Sequence, residues 1–342
     1  MFLQKLVLNN YRIHRGLCFE FEPGANLIVG ENAKGKTSIL EAVHLLICGR
    51  PFRHHQLSDL IHTSQKEFSV EAFFVKSGLS HRLSVGSDGK RKKIVHNRTS
   101  HQSIAPLIGL LHGVVMAPDD TALIKGGPVA RRRYLDIQLS QSNSEYFKQL
   151  MRYTRAVKQR NQLLRSKEMR TIEIWERELV QAGEYLVQER TLLIEKLRPL
   201  IQSHFSTISC LKSPLDIQYK AQENLAALYE KQREREMVAG LTLFGPHRDD
   251  LTISIDGRPA KQFASLGQLT LATLALRFAE WQRLKSEVQH SPMLLIDDLG
   301  MHLDPIRTRG VIEHLNHLES QIFITTTRQE SFPSSWSATV VN

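Results

Sequence analysis

The chain has 342 residues, 41% of them hydrophobic, enough for two or three domains or for one large α/β domain carrying an insertion. A formal net charge of +10 and a pI near 9.6 point to a polyanionic partner, most simply nucleic acid, with a solvated basic surface as the plain alternative. Three widely spaced cysteines argue against a zinc site or disulfide framework, no run approaches the ~18 apolar residues of a membrane helix, and the N-terminus lacks a signal peptide's apolar core, so a cytoplasmic protein is expected.

Residues 2–8 alternate and predict a strand; Asn10-Tyr11-Arg12 follows, then a second strand near 17–21 and a turn at Pro23-Gly24. The apolar run 25–29 predicts a buried strand. Directly after it, Gly30-Glu31-Asn32-Ala33-Lys34-Gly35-Lys36-Thr37 fits G-x-x-x-x-G-K-[ST], the phosphate-cradling P-loop. Ser38 opens a segment with apolar residues at helical spacing, so strand, loop and helix stand in the order that the motif needs. Glycines let successive N–H groups turn inward onto phosphate oxygens, and the helix N-terminus adds its positive end. Lys36 can reach the β- and γ-phosphates, and the Thr37 hydroxyl can ligate Mg²⁺. Glu41 and His44 are expected on exposed or partly exposed faces of this helix. Cys18 and Cys48, in apolar stretches, are expected to be small core residues in a reducing compartment.

Strands are predicted over 68–75 and 79–85. Asp88-Gly89 is a hairpin turn, and Lys90-Arg91-Lys92-Lys93 makes its tip basic, which suits DNA phosphates as well as a solvated, aggregation-resistant hairpin. Residues 114–117 predict a short buried strand, ended by Pro118-Asp119-Asp120, and 123–128 a glycine-rich turn. From 137 to 205 glycine and proline nearly vanish. Tyr146, Leu150, Tyr153, Val157 and Leu164, then Trp175, Leu179, Ala182, Leu186, Leu193 and Leu200, predict two long amphipathic helices joined near 166–173, most simply an antiparallel pair. Arg160 interrupts the first seam and argues against a long coiled coil. Arg152, Arg155, Lys158, Arg160, Arg165, Lys167 and Arg170 give this arm a basic character. Beyond it, a charged helix ends near 240 and 241–244 reads as a strand. A polar turn over 245–250 and a strand over 251–255 follow.

Ser265-Leu266-Gly267-Gln268 opens a helix running to about Lys285. An apolar strand from Pro292 ends in Asp297-Asp298, the Walker B pattern, and 321–327 predicts a last buried strand. Asp297 is placed to hold Mg²⁺ beside Thr37, and Asp298 to orient or deprotonate an attacking water. Ser-x-Gly-Gln between Walker A and Walker B is the signature arrangement of ABC-type ATPases, in which the serine and its helix N-terminus cap the γ-phosphate held by a second subunit. Alone it is an ordinary helix start.

Together these residues resemble the RecF family. The resemblance is carried by 30–37, by Gly49-Arg50-Pro51-Phe52-Arg53, by the long run 118–136, by Lys158-Gln159-Arg160-Asn161, by Trp175, by Gly245-Pro246-His247-Arg248-Asp249-Asp250, by 265–268 and by 295–304. The sequence departs from the family pattern at Ala33, where glycine is usual and where alanine needs a negative φ to sit without strain. It departs also at Leu269 and at Gly300-Met301-His302. The resemblance implies an α/β ABC-type ATPase head, like that of SMC proteins, with an inserted α-helical arm: head over 1–136 and 241–342, arm over 137–240. It implies ATP and Mg²⁺ as cofactors, an ATP-dependent homodimer on DNA at single-strand/double-strand junctions without sequence specificity, and weak ATPase activity. It also implies work with RecO and RecR in loading RecA at gaps coated by single-strand-binding protein, with no membrane. The expected catalytic residues are Lys36, Asp297 and Asp298, and the metal ligands Thr37 and Asp297. The expected nucleotide-binding residues are Arg12, Gly30, Glu31, Asn32, Ala33, Lys34, Gly35, Lys36, Thr37, Ser38, Ser265, Gly267 and Gln268. Two other readings stand beside it: the nucleotide-binding subunit of a membrane transporter, and a clamp that binds ATP without hydrolysing it. The basic arm, the strands ahead of the P-loop and the Thr325-Thr326-Thr327 strand end, where transporter subunits usually carry a histidine, weigh against the former.

Overall fold

The computed structural model describes residues 1–52, 56–209, 213–299, 303 and 305–341. Arg53, Gly300, Met301 and His302, named above, lie outside the described residues, as do Cys210, the third cysteine, and Asp304, the last residue of the run 295–304. In chain order the elements are β1 (Phe2–Tyr11), β2 (His14–Glu20), β3 (Ala25–Val29), α1 (Lys36–Cys48), β4 (Phe68–Lys76), β5 (Leu79–Ser87), β6 (Lys92–His96), β7 (Thr99–His101) and β8 (Gly113–Met116). Next come α2 (Ala122–Lys125), α3 (Pro128–Ser142), α4 (Ser144–Ser166), α5 (Ile172–Ser209), β9 (Leu215–Lys220), α6 (Leu225–Ala239), β10 (Asp250–Ile255), β11 (Arg258–Pro259) and α7 (Ala260–Phe263). The chain ends with α8 (Leu266–Glu287), β12 (Met293–Ile296), α9 (Pro305–Asn316), β13 (Ile322–Thr326) and β14 (Ser337–Val340). It divides into two compact units, residues 1–120 with 280–342, and residues 121–279.

The first unit holds two sheets. One is antiparallel, in the order β2-β1-β4-β5-β6-β7; the other is parallel, in the order β14-β3-β13-β12-β8. The sequence explains the difference. β4 alternates buried and half-buried positions, as a sheet with one covered face does, whereas β8, β12 and β13 are buried at every position, as parallel strands are. Helix α1 contributes Ile39 to Ile47 to a core shared with Leu3, Leu6 and Leu8 of β1, Phe74 of β4, Leu295 of β12 and Phe323 of β13. Because α1 is covered on nearly every side, Glu41 and His44 are buried rather than exposed. Glu41 accepts from the Arg12 guanidinium at 2.8 and 2.9 Å, and the His44 ring shares a 3.0 Å hydrogen bond with the Arg50 carbonyl. Cys18 is exposed and Cys48 only half-buried, against the expectation of two core cysteines; the period of β2 turns Phe19 inward and its neighbour out. The β14 strand lies beyond the last expected one: its Ser-Ala-Thr-Val sequence carries no apolar run, and its place is set by backbone pairing with β3.

In the second unit α4 and α5 run antiparallel: Tyr146 meets Arg190, Arg152 meets Glu178 and Arg160 meets Glu176. Their junction is short, and Lys167 closes α4 in the left-handed conformation (φ 56°). Arg160, which breaks the apolar seam in sequence, is fully buried against Glu176 and Glu236, with its guanidinium 5.0 Å from the Tyr229 ring centre. Residues 241–244 form no strand. Asn161 Oδ1 accepts from the Thr242 amide at 2.6 Å and Glu236 Oε1 from the Leu243 amide at 2.7 Å, so side chains take the donors that a neighbouring strand would use. The stretch 123–128 is not all turn: α2 takes up its first half, to Lys125, and Pro128 already opens α3.

The runs 118–136 and 245–250 meet within this unit. Arg190 donates to Asp136 Oδ1 and to the Pro246 carbonyl, both at 2.8 Å, and Arg131 donates to both Asp250 oxygens. Gly245 has φ 116°, and a Cβ there would lie 2.4 Å from the Tyr153 hydroxyl and 2.5 Å from that of Tyr229, so only glycine fits. Burial pushes the His247 imidazole down to about 4, which keeps it neutral as it accepts from the Tyr153 hydroxyl at 2.7 Å.

Candidate nucleotide site

The site is built on the parallel sheet of the first unit. β3 delivers the chain to Gly30, and α1 begins at Lys36 with Gly35 as its N-terminal cap (φ 82°). Both glycines are required by their surroundings. A Cβ on Gly30 would lie 2.5 Å from the Val341 carbonyl, and one on Gly35 would lie 2.4 Å from His14 Nε2. His14 comes from the start of β2, and its ring shares a 3.2 Å hydrogen bond with the Gly35 carbonyl; burial lowers its pKa, so the ring is held as a neutral donor.

Lys36 lies over the loop and donates to the carbonyls of Gly30 and Glu31, both at 2.7 Å, leaving the third of its N–H donors. The Thr37 hydroxyl donates to Asp297, with distances of 2.7 and 3.0 Å to the two carboxylate oxygens. Asp297 stands at the end of β12, only 4% exposed, and its amide donates to the Met116 carbonyl of β8 at 2.8 Å. Thr325 of β13 was not foreseen as part of the site. Its hydroxyl donates to Asp297 Oδ1 and accepts from the Asp298 amide, both at 2.8 Å, so one side chain fixes the positions of two acidic residues. Asp298 is exposed and left-handed (φ 53°), a backbone state that Asp tolerates better than most residues.

These groups open onto a recess of about 270 Å³ lined by Ile13, Asn32, Ala33, Gly35, Lys36, Thr37, Ser38, Asp297, Asp298 and Thr325. Ile13 is a second residue that sequence reasoning passed over; it is 54% exposed in the tight β1–β2 turn, where an apolar side chain gives no motif signal. Gly30, Glu31, Lys34 and Arg12 do not line the recess. Arg12 is bound to Glu41 and donates to the Asp59 carbonyl at 2.7 Å. The donors present fit Mg²⁺: a threonine hydroxyl and a carboxylate are hard oxygen ligands. Among the described residues no cluster of three or more His, Cys, Asp or Glu is arranged to hold a metal ion, so a Mg²⁺ held by Thr37 and Asp297 would need further oxygen ligands from water or a bound phosphate.

Ala33 has φ 66°, so the condition for strain-free alanine is not met. A left-handed alanine costs about 1–2 kcal/mol, part of which glycine returns as unfolded-chain entropy. Ala33→Gly is therefore expected to stabilise the protein by about 0.5–1 kcal/mol. Urea unfolding measures this, and an unchanged or lower midpoint would show that the loop does not hold that conformation.

In the second unit Ser265, exposed, begins α8. Its Oγ accepts from the Gln268 amide at 3.3 Å while Gln268 Oε1 accepts from the Ser265 amide at 2.9 Å, a capping box. The serine keeps its O–H proton for another acceptor. Gly267 and Gln268 are half-buried in the same turn.

A glycine-rich loop opening a helix, a lysine over it and a threonine–aspartate pair at the end of a parallel strand define a P-loop nucleotide-binding protein, here with the sheet pairing and inserted helical arm of an ABC-type ATPase head. The chain belongs to the RecF/RecN/SMC N-terminal domain family, whose model matches residues 2–341. It is 40% identical over 339 residues to the DNA replication and repair protein RecF of Protochlamydia amoebophila, covering 96% of this chain and 94% of that one. It is 33% identical to the RecF of Symbiobacterium thermophilum, covering 96% and 92%. Among solved structures it superposes on the recombination mediator protein RecF with ATP, of the RecFOR pathway, at a TM-score of 0.90 and 29% identity, covering 97% and 93% of the two chains. The Smc head domain of Pyrococcus furiosus, at 19% identity and a TM-score of 0.57 with 96% and 90% covered, shares the fold.

Proposed function

We propose that this chain is an ATP-dependent DNA-binding switch of replication and recombinational repair. Two copies close on DNA with ATP·Mg²⁺ between them, and slow, DNA-stimulated hydrolysis separates them. The observation that carries this reading is the 2.7 Å approach of Thr37 to Asp297, residues 260 positions apart in sequence, beneath the loop that Lys36 spans. The relatives named as DNA replication and repair proteins, and the RecF of the RecFOR pathway, support the setting of replication and repair; on this reading the chain works with RecO and RecR to load RecA at single-strand gaps in the cytoplasm. Among the described residues no helix is long and apolar enough to cross a membrane.

In this scheme Lys36 and the loop amides hold the β- and γ-phosphates, and Thr37 and Asp297 take Mg²⁺, which neutralises charge on the phosphates when bound. Asp298 orients the attacking water. Arg12 joins the nucleotide from the β1–β2 turn. Ser265, with Gly267 and Gln268, caps the γ-phosphate of a second copy. Two observations favour this last role: Ser265 is exposed, and the P-loop recess is lined wholly by residues of the first unit. ATP then forms part of the interface and stabilises the dimer by mass action, whereas ADP lacks the bridging phosphate. Ser265→Arg is expected to leave nucleotide affinity within about twofold of wild type while abolishing ATP-driven dimerisation and hydrolysis together. A Ser265→Arg protein that still dimerises with ATP would reduce the serine to a helix cap.

A further inference from the structure

We infer that the β5–β6 hairpin is a docking surface for the phosphodiester backbone of duplex DNA, made by Lys90, Arg91, Lys92 and Lys93. The inference rests on the DNA-binding reading above and gives it a location.

Of the seven cations of the basic arm three are engaged within it, and Arg155, Lys158, Lys167 and Arg170 are spread from α4 into the α4–α5 junction rather than adjacent. Arg160 is buried between Glu176 and Glu236, Arg152 pairs with Glu178 at 2.9 Å, and Arg165 Nε donates to the Gly240 carbonyl at 3.2 Å. At the hairpin the four side chains are exposed, and among the described residues none of them is in an ion pair or a side-chain hydrogen bond. The hairpin's own acid offsets only one of the four charges. Asp88 Oδ1 is turned onto the backbone, accepting from the Lys90 amide at 2.8 Å and the Arg91 amide at 2.6 Å, and these two bonds hold its carboxyl below the usual range.

The turn is also pre-formed. Ser87 Oγ donates to the Arg91 carbonyl at 2.9 Å and accepts from the Gly89 amide at 3.1 Å, while the Asp88 amide donates to the Arg91 carbonyl at 3.3 Å. Gly89, at φ 86°, lies against Ser58 and Ile61. The register Ser87↔Lys92 and Gly86↔Lys93 then carries the tip into the sheet. Binding there orders four side chains and no backbone, which lowers its entropic cost. Four neighbouring cations against the single carboxylate of Asp88 leave the tip net positive, and a polyanion relieves the remaining repulsion. Residues 88–93 contain no aromatic side chain to stack on a base, and four adjacent cations suit the closely spaced phosphates of the backbone.

The test uses the full chain with ATP, random-sequence duplex and single-stranded DNA of equal length, and fluorescence anisotropy from about 50 to about 200 mM salt. The variant Lys90→Ala/Arg91→Ala/Lys92→Ala/Lys93→Ala is expected to bind duplex at least about tenfold more weakly. Its slope of log affinity against log salt is expected to be shallower by about 3–4, at ~0.9 per lost phosphate contact. The charge-preserving variant Lys90→Arg/Lys92→Arg/Lys93→Arg should keep wild-type affinity, and Arg155→Ala/Lys158→Ala on α4 should lose much less. Unchanged duplex affinity in the four-alanine variant overturns the assignment and leaves the hairpin to an acidic protein surface; equal loss in the charge-preserving variant overturns it too, as does a loss confined to single strands. A wild-type protein that binds no DNA at all removes the functional reading itself, so the two failures are distinct.

Discussion

Replacing Lys36 by alanine is expected to weaken ATP binding by at least about 100-fold, ~3 kcal/mol. The ammonium already lies across the loop, 2.7 Å from the Gly30 and Glu31 carbonyls, with one N–H donor left for phosphate. Among the described residues no other lysine or arginine lines the recess to replace the lost charge. Filter binding with labelled ATP measures the loss, and equal affinity in the variant would place the nucleotide elsewhere. The expected loss exceeds what removing a solvent-exposed ion pair costs, because a charge-assisted bond to phosphate at a loop and helix N-terminus is reinforced by the amides around it.

Asp298→Asn is expected to keep ATP binding and dimerisation while lowering hydrolysis by about 10²–10⁴. The asparagine keeps the size and the backbone bond to Thr325 but cannot accept a proton. Asp297→Asn should act differently. It removes a charge beside Thr37, so Mg²⁺-dependent ATP binding itself should fall. Phosphate release under saturating ATP separates the two. An Asp298→Asn protein that turns over at the wild-type rate would put the water-orienting group on another residue, and a wild type that releases no phosphate with or without DNA would favour a clamp.

Much of the site is legible in sequence because it depends on local order. Strand, Gly30 to Thr37 and helix are contiguous, and a strand ending in Asp297 carries its own signal. The groups that sequence reading passes over act across the fold. Thr325 looks like any residue at the end of a buried strand until β12 and β13 pair in register. Glu41 and His44 look like the polar face of an amphipathic helix, yet Arg12 and the Arg50 carbonyl, brought in by the β1–β2 turn and the end of α1, allow both to be buried. Arg160 shows the same limit in the arm: a cation within an apolar seam reads as a break, and only Glu176 and Glu236 on two other helices turn it into a buried pair. The failed strand at 241–244 has a related cause, since Asn161 and Glu236 capture its amides from outside the segment. Burial of polar groups is decided by partners that sequence spacing does not place.

The central claim is that nucleotide state controls assembly through the site at Lys36, Thr37, Asp297 and Asp298. Sedimentation velocity of the wild-type chain with ATP·Mg²⁺ and with ADP·Mg²⁺ tests it most directly. The account predicts a species of twice the 39.1 kDa chain mass with ATP and the single chain with ADP. A single chain under both nucleotides, or the same dimer under both, would contradict it.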